Sequence, residues 1–259
     1  MPTETPIPEF ESFSSDTEAT DTSTFADRAD KVLGQVVREQ RLGLPMKEIR
    51  AGIEHSYVRE EQDPQLAAFT EVLLQAPNQA KLQEAIEEVK DRNKKLGATD
   101  KRKELLGRMK ESALRYHHAL RDVISENPGS FSADELTEWL DMASNNEDWA
   151  RQTVLGVASE VAVARALPGT AGVHEVRLAS VEEDRRGSDI VIEMRRGDSY
   201  GIDVKYAWAS RRLGVSVHRG RFEIGISKAM LQDFELIPEY AVQLRRDFAA
   251  AVRRVSGLR

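Results

Sequence analysis

The stretch Gly187 to Tyr206, GSDIVIEMRRGDSYGIDVKY, decides how this chain is read. Its first run, Ser188 to Met194, alternates around Ile190, Ile192 and Met194. A turn-like Arg195-Arg196-Gly197-Asp198-Ser199 follows, and a second run, Tyr200 to Tyr206, carries Ile202 and Val204. Period-two alternation on both sides of a turn predicts a β-hairpin. Successive side chains of a strand point to opposite faces. Ile190, Ile192, Met194, Ile202 and Val204 therefore share an apolar face, and Asp189, Asp203 and Lys205 fall on the other. Two carboxylates and an ammonium on one face suit a divalent cation, which takes oxygen ligands, with a lysine beside it. Glu193 has the parity of Asp189 and is a reserve carboxylate further along the strand.

Gly187-Ser188-Asp189 followed by Asp203-Val204-Lys205 resembles the PD-(D/E)xK nuclease superfamily, the restriction-endonuclease-like fold. The resemblance covers Trp149 to the C-terminus, and Ser188 stands where the family has proline. It implies a core of helix, three strands, helix and strand. The family's acids and lysine would be Asp189, Asp203 and Lys205, with Glu160 from the first helix. It implies Mg2+ or Mn2+ held by Asp189, Asp203, Glu160 and the carbonyl of Val204. Lys205 would orient the nucleophile or stabilise the pentacovalent phosphate. The implied activity is metal-dependent hydrolysis of phosphodiester bonds, in the first place by a DNA endonuclease. The alternative is a non-catalytic nucleic-acid-binding or assembly protein with a degenerate nuclease-like domain.

The formal net charge of -7 argues at first against nucleic acid, yet it conceals an asymmetry. Met1 to Asp148 carries 19 Lys and Arg against 30 Asp and Glu, whereas Trp149 to Arg259 carries 18 against 14. The half with the acidic site is thus basic, as a phosphodiester substrate requires. Arg185, Arg186, Arg211, Arg212, Arg219, Arg221 and Lys228 are the expected phosphate contacts. The chain has no cysteine, which excludes disulfides and thiolate zinc sites and suits a reducing cytoplasm. No apolar run approaches a membrane span, and Met1 to Glu11 has no basic or apolar leader pattern. A soluble cytoplasmic protein without a membrane partner is expected.

The organisation expected is α+β or α/β: a disordered acidic tail over residues 1–23, a helical domain over 24–145, and the nuclease-like domain over 146–259. The tail has too few large apolar groups to offset ordering entropy. Helices are predicted from Thr24, after Pro45, from Pro64 and afresh from Pro77-Asn78. Further ones are capped by Thr99 or Asp100, by Ser132 with Glu135, and from about Glu147 to Leu167. Gln35 to Tyr57 is faintly like a helix-turn-helix and reads as a bundle corner. Lys94-Lys95 and Lys101-Arg102-Lys103 bracket a Gly97 turn and read as solvated, though within reach of phosphates. His117 and His118 are adjacent on a helix, cannot jointly hold a metal, and are expected to be structural or solvent-facing. The helical half is the expected surface for a homodimer. Around the hairpin, His174 to Leu178 reads as the first strand and Val181 to Arg186 as a charged loop. Val215 to Val217 and Phe222 to Ile226 read as short strands. Ser227 to Leu236 reads as a helix, and Glu239 to Leu244, by the family pattern, as a final strand before a terminal helix.

Overall fold

The computed structural model describes residues 24–56, 63–206, 213–218 and 221–256. The expected acidic tail and three of the expected phosphate contacts, Arg211, Arg212 and Arg219, lie outside the described residues. The first half is helical: α1 (Phe25–Arg41), α2 (Met46–Ser56), α3 (Pro64–Leu96), α4 (Asp100–Glu126) and α5 (Ala133–Ser144). The starts are set by side chains that satisfy orphan amides at helix N-termini. Ser132 accepts from the Glu135 amide while the Glu135 carboxylate accepts from the Ser132 amide at 2.7 Å, and Thr24 with Asp27 does the same for α1. The bundle closes over an aromatic cluster of Phe25, Phe69, Phe131 and Trp139, with the Phe69 and Trp139 ring centroids 5.2 Å apart. The Trp139 indole N–H donates to Asp30 at 2.7 Å, as a buried ring with a polar atom requires.

α6 (Glu147–Ala166) joins the two halves. Its first turns bury Val154, Val157 and Val161 in the helical core. Its last turns bury Ala162, Val163 and Ala166 against a five-stranded sheet. The strands are β1 (Val173–Leu178), β2 (Ile190–Met194), β3 (Ser199–Tyr206), β4 (Gly214–His218) and β5 (Arg221–Ile226), in the order β1-β2-β3-β5-β4. β3 and β5 are parallel and every other pairing in this sheet is antiparallel. The apolar face predicted for the hairpin is the one buried: Ile190, Ile192, Met194, Ile202 and Val204 all lie in the core under α6 and the last helix. Phe222 of β5 packs on Phe248 at a centroid distance of 4.9 Å. Truncating either ring to alanine would cost about 3–5 kcal/mol.

Four expectations are corrected. Pro77 does not start a new helix, because α3 runs through it. The neighbours Leu73, Leu74, Ala76 and Ala80 are buried against the bundle, and that packing holds the turn despite the lost hydrogen bond. Residues after Ala179 are no loop but a short helix, α7 (Val181–Arg185), started by a capping box of Ser180 and Glu183. Ser227 to Leu236 forms a 3-10 turn at Lys228–Met230 and a two-stranded ribbon of β6 (Leu231–Gln232) and β7 (Glu235–Leu236), tightened by Asp233 at φ 53°. Glu239 to Leu244 is not a strand, since α8 runs from Pro238 to Val255. Proline at its first position lacks only an amide that would be orphaned anyway. The buried stripe Leu244, Phe248, Ala251 and Val252 has helical spacing. The C-terminal half is therefore a mixed sheet with helices, in which β4 and β5 follow β3 directly.

Candidate functional site

Asp189 and Asp203 lie on neighbouring strand segments and flank the Ile190–Ile202 pair, Asp189 just before Ile190 and Asp203 just after Ile202. Asp189 sits where β2 begins: its amide donates to the Ile202 carbonyl at 2.7 Å, and its Oδ2 accepts from the Val204 amide at 2.6 Å. Gly187, at φ 86°, makes the turn into it, and the Arg221 guanidinium lies so close that a Cβ there would meet Arg221 Nη1 at 2.7 Å. Gly201 leaves room for a neighbour: a Cβ at that position would stand 2.1 Å from Ser188 Oγ and 3.0 Å from Ser188 Cβ, so a side chain there would force Ser188 to turn aside.

Lys205 Nζ lies 2.6 Å from Asp203 Oδ1. Burial works against the ammonium, but the bond and charge of Asp203 outweigh it and raise the lysine pKa above its ordinary value, aided by Asp189 and Glu223. Glu223 is the in-register neighbour of Asp203 on β5. Asp189 behaves oppositely. Burial, then the charges of Glu160, Asp184 and Asp203, push its carboxyl up to about 8 against the pull of the Val204 amide. This carboxyl therefore holds its proton more tightly than an ordinary aspartate.

Glu160 is where the first half of the chain enters the site. It is buried on α6, its Oε1 lies 2.8 Å from His117 Nε2 of α4, and its Oε2 is buried without a hydrogen-bond partner. Burial opposes charge on His117, but the Glu160 carboxylate outweighs it and raises the imidazole pKa. Arg121, also buried, stands 3.8 Å from Glu160 Oε2 through Nη1. Its Nη2 donates to the Ala179 carbonyl at 2.5 Å and approaches His118 Nδ1 at 2.7 Å. A guanidinium is donor only, so His118 Nδ1 accepts and the ring's proton is on Nε2. That proton is donated to Asp184 Oδ2 at 2.8 Å. Burial and the charge of Arg121 lower the His118 pKa, in keeping with a neutral ring.

His117 and His118 are thus not solvent-facing residues. Both turn toward the acidic cluster, one to Glu160 and the other to Asp184. Adjacent residues on a helix diverge by about a third of a turn, which lets them reach separate carboxylates without sharing one ligand. These two and Arg121 are the site residues that sequence reasoning missed. The one signal was a run of two histidines and an arginine on a helix whose other buried residues are apolar.

The expected phosphate contacts are dispersed. Arg185 is bound to Glu111 at 2.6 Å and to Glu182, and Arg186 lies 3.2 Å from Glu182. Lys228 stands on the 3-10 turn in a surface depression with Glu138 and Arg151, and among the described members of the set only Arg221 borders the site. Glu193 is removed from the acids and pairs across the strands with Glu175. Among the described residues no three His, Asp or Glu side chains already converge as a cation cage. The donors nonetheless fit a hard divalent cation in kind: carboxylate oxygens, one a buried atom without a hydrogen bond and one on a carboxyl whose pKa its neighbours raise.

Among the described residues no helix is long and apolar enough to cross a membrane. The chain matches no family model, no curated protein sequence and no solved structure.

Proposed function

We propose that the protein is a metal-dependent nuclease that hydrolyses phosphodiester bonds, with DNA as its substrate. The supporting observation is the nearness of Asp189 and Asp203, which flank the Ile190–Ile202 pair, with Lys205 beside Asp203 and Glu160 of α6 close enough to act on Asp189. Asp189, Asp203 and Glu160 would hold Mg2+ or Mn2+, with the Val204 carbonyl as a further oxygen. Such a cation lowers the pKa of a bound water and neutralises charge developing on the scissile phosphate. Lys205 supplies an ammonium aimed beside the acids, where it would stabilise negative charge on the phosphate in the transition state. To do so it exchanges its present partner, Asp203, for the substrate. Asp189 would bind such a cation in its ionised form, and Arg121 and His117 hold Glu160 in position.

A non-catalytic binding protein is favoured by one feature, the 2.6 Å ion pair in which Lys205 and Asp203 satisfy each other. Incubating the protein with plasmid, linear and single-stranded DNA in Mg2+, Mn2+ or EDTA separates the two. A nuclease cleaves only with the divalent cation and stops cleaving as Asp203→Asn. A binding protein retains DNA without cutting it in any of these conditions.

A further inference from the structure

The hairpin of α3 and α4 leaves the body of the molecule. Between Ile86 and Tyr116 none of its residues is buried, and its tip is the Gly97 turn at φ 74°. Residues 90–110 carry nine Lys and Arg against three Asp and Glu, a balance of +6 in a chain whose total is -7. Five of the nine have local acidic partners: Lys90, Arg92, Lys94, Lys103 and Arg108. Such exposed pairs are worth little and are readily exchanged for a phosphate. Among the described residues Lys95, Lys101 and Lys110 have no ion-pair partner, and Arg102 is bonded to the Gly97 carbonyl at 2.8 Å.

This cationic arm is continuous with the candidate site. Lys103, Gly107, Lys110, Leu114 and His117 recur on α4 at helical spacing and form one stripe. His117 ends that stripe on Glu160, and Glu111 beside it is tied to Arg185 of α7, so the base of the arm is fixed to the acidic cluster. From His117 to Lys103 the helix rises about 20 Å, the length of about six steps of a nucleic-acid strand at 3.4 Å each. Over that length the stripe runs from His117 on its carboxylate partner to the cations Lys110 and Lys103.

We propose that the α3–α4 arm is the nucleic-acid docking surface, holding a DNA duplex along α4 so that its backbone reaches Asp203 and Lys205. The occupant follows from charge complementarity: a regularly spaced polyanion meets cations spread along a helix, whereas near the sheet Arg185 and Arg186 are paired with Glu111 and Glu182. This docking surface rests on the proposed nuclease function and names where its substrate is held.

The test measures binding of a fluorescent 30-base-pair duplex by anisotropy in EDTA over a salt series, so that cleavage plays no part. The variants are Lys95→Gln/Lys101→Gln/Lys110→Gln and, as a control for bulk charge, Arg195→Gln/Arg196→Gln on the β2–β3 turn. All three arm positions are exposed, and far-ultraviolet dichroism with thermal melting checks that the fold is kept. The arm variant is expected to bind at least tenfold more weakly at about 0.1 M salt. Its log-log salt slope should fall by about 2 to 3, near 0.9 for each phosphate that is no longer neutralised. The control should change affinity less than twofold. Parental affinity in the arm variant, an equal loss in the control, or tighter binding to phosphatidylserine vesicles than to the duplex overturns the inference. A parent that cleaves with Mg2+ while the arm variant binds and cleaves unchanged removes the arm and leaves the nuclease. A parent that binds through the arm but never cleaves removes the nuclease and leaves the arm.

Discussion

His117 Nε2 lies 2.8 Å from Glu160 Oε1, so the helical half of the chain supplies the partner of the buried acid in the candidate site. The acid belongs to α6, which is itself shared between the two cores. An acidic cluster on the sheet is therefore completed by a helix whose sequence shows little sign of it. His117→Ala should cost about 1–3 kcal/mol in urea unfolding, the penalty for leaving a buried polar group unpaired. His117→Gln keeps a donor and should recover part of it. A loss below about 0.5 kcal/mol for the alanine variant, the scale of an ordinary surface substitution, would show that solvent already satisfies Glu160.

Arg121 ought to be the costliest single residue of the cluster. It is buried, donates to Ala179 and His118, and faces Glu160. Removing one partner of a buried charged pair costs about 3–5 kcal/mol. Arg121→Met, which keeps much of the side chain's volume, should therefore lower stability on that scale and lower the unfolding midpoint without a large change in m-value. A near-neutral result would mean that the acids are protonated or hydrated in the variant.

Asp189 carries the opposite signature. Its folded pKa, about 8, lies above the ordinary value of 3.8 that stands for the unfolded chain. The folded state therefore binds the extra proton between those values. Stability from this group is fully present below about pH 4 and is lost as pH rises through 8. In EDTA the parent should lose stability relative to Asp189→Asn across that window. By about pH 8.5 the asparagine variant should be more stable by an amount on the order of a few kcal/mol. Mg2+ should narrow the gap by stabilising the ionised parent. Parallel pH curves for the two proteins would contradict the assignment.

How much of this was legible in the sequence follows from what each signal measures. Alternation around Ile190, Ile192, Ile202 and Val204 reports strand faces directly, so the hairpin and the side on which Asp203 and Lys205 lie could be read. The capping box at Ser132 and Glu135 is a local chemical pattern and was equally readable. Pro77 misled because a proline's local cost is overridden by the buried residues around it, which composition does not reveal. Glu239 to Leu244 misled because alternation over six residues fits a strand as well as the helix that Pro238 starts. His117, His118 and Arg121 were out of reach for a different reason. Their partners lie 43, 66 and up to 68 residues away, and only the folded chain brings them together.

If the protein cuts both strands of a duplex in one event, two copies must act, since one centre serves one strand. With supercoiled plasmid in Mg2+, nicked circles should accumulate at low protein concentration and give way to direct linear product as concentration rises. Direct linearisation by a species of strictly monomeric mass would exclude this arrangement.

The proposed nuclease function is tested most directly by measuring Lys205 against Asp203. Metal binding by calorimetry, DNA binding in Ca2+ and single-turnover cleavage in Mg2+ should be compared for the parent, Lys205→Ala and Asp203→Asn. Asp203→Asn is expected to lose metal binding and cleavage together. Lys205→Ala should retain both carboxylates and the metal while cleaving about 10² slower or more, the scale for one aimed stabilising group. Cleavage by Lys205→Ala at the parental rate would contradict a catalytic site on this face of the sheet.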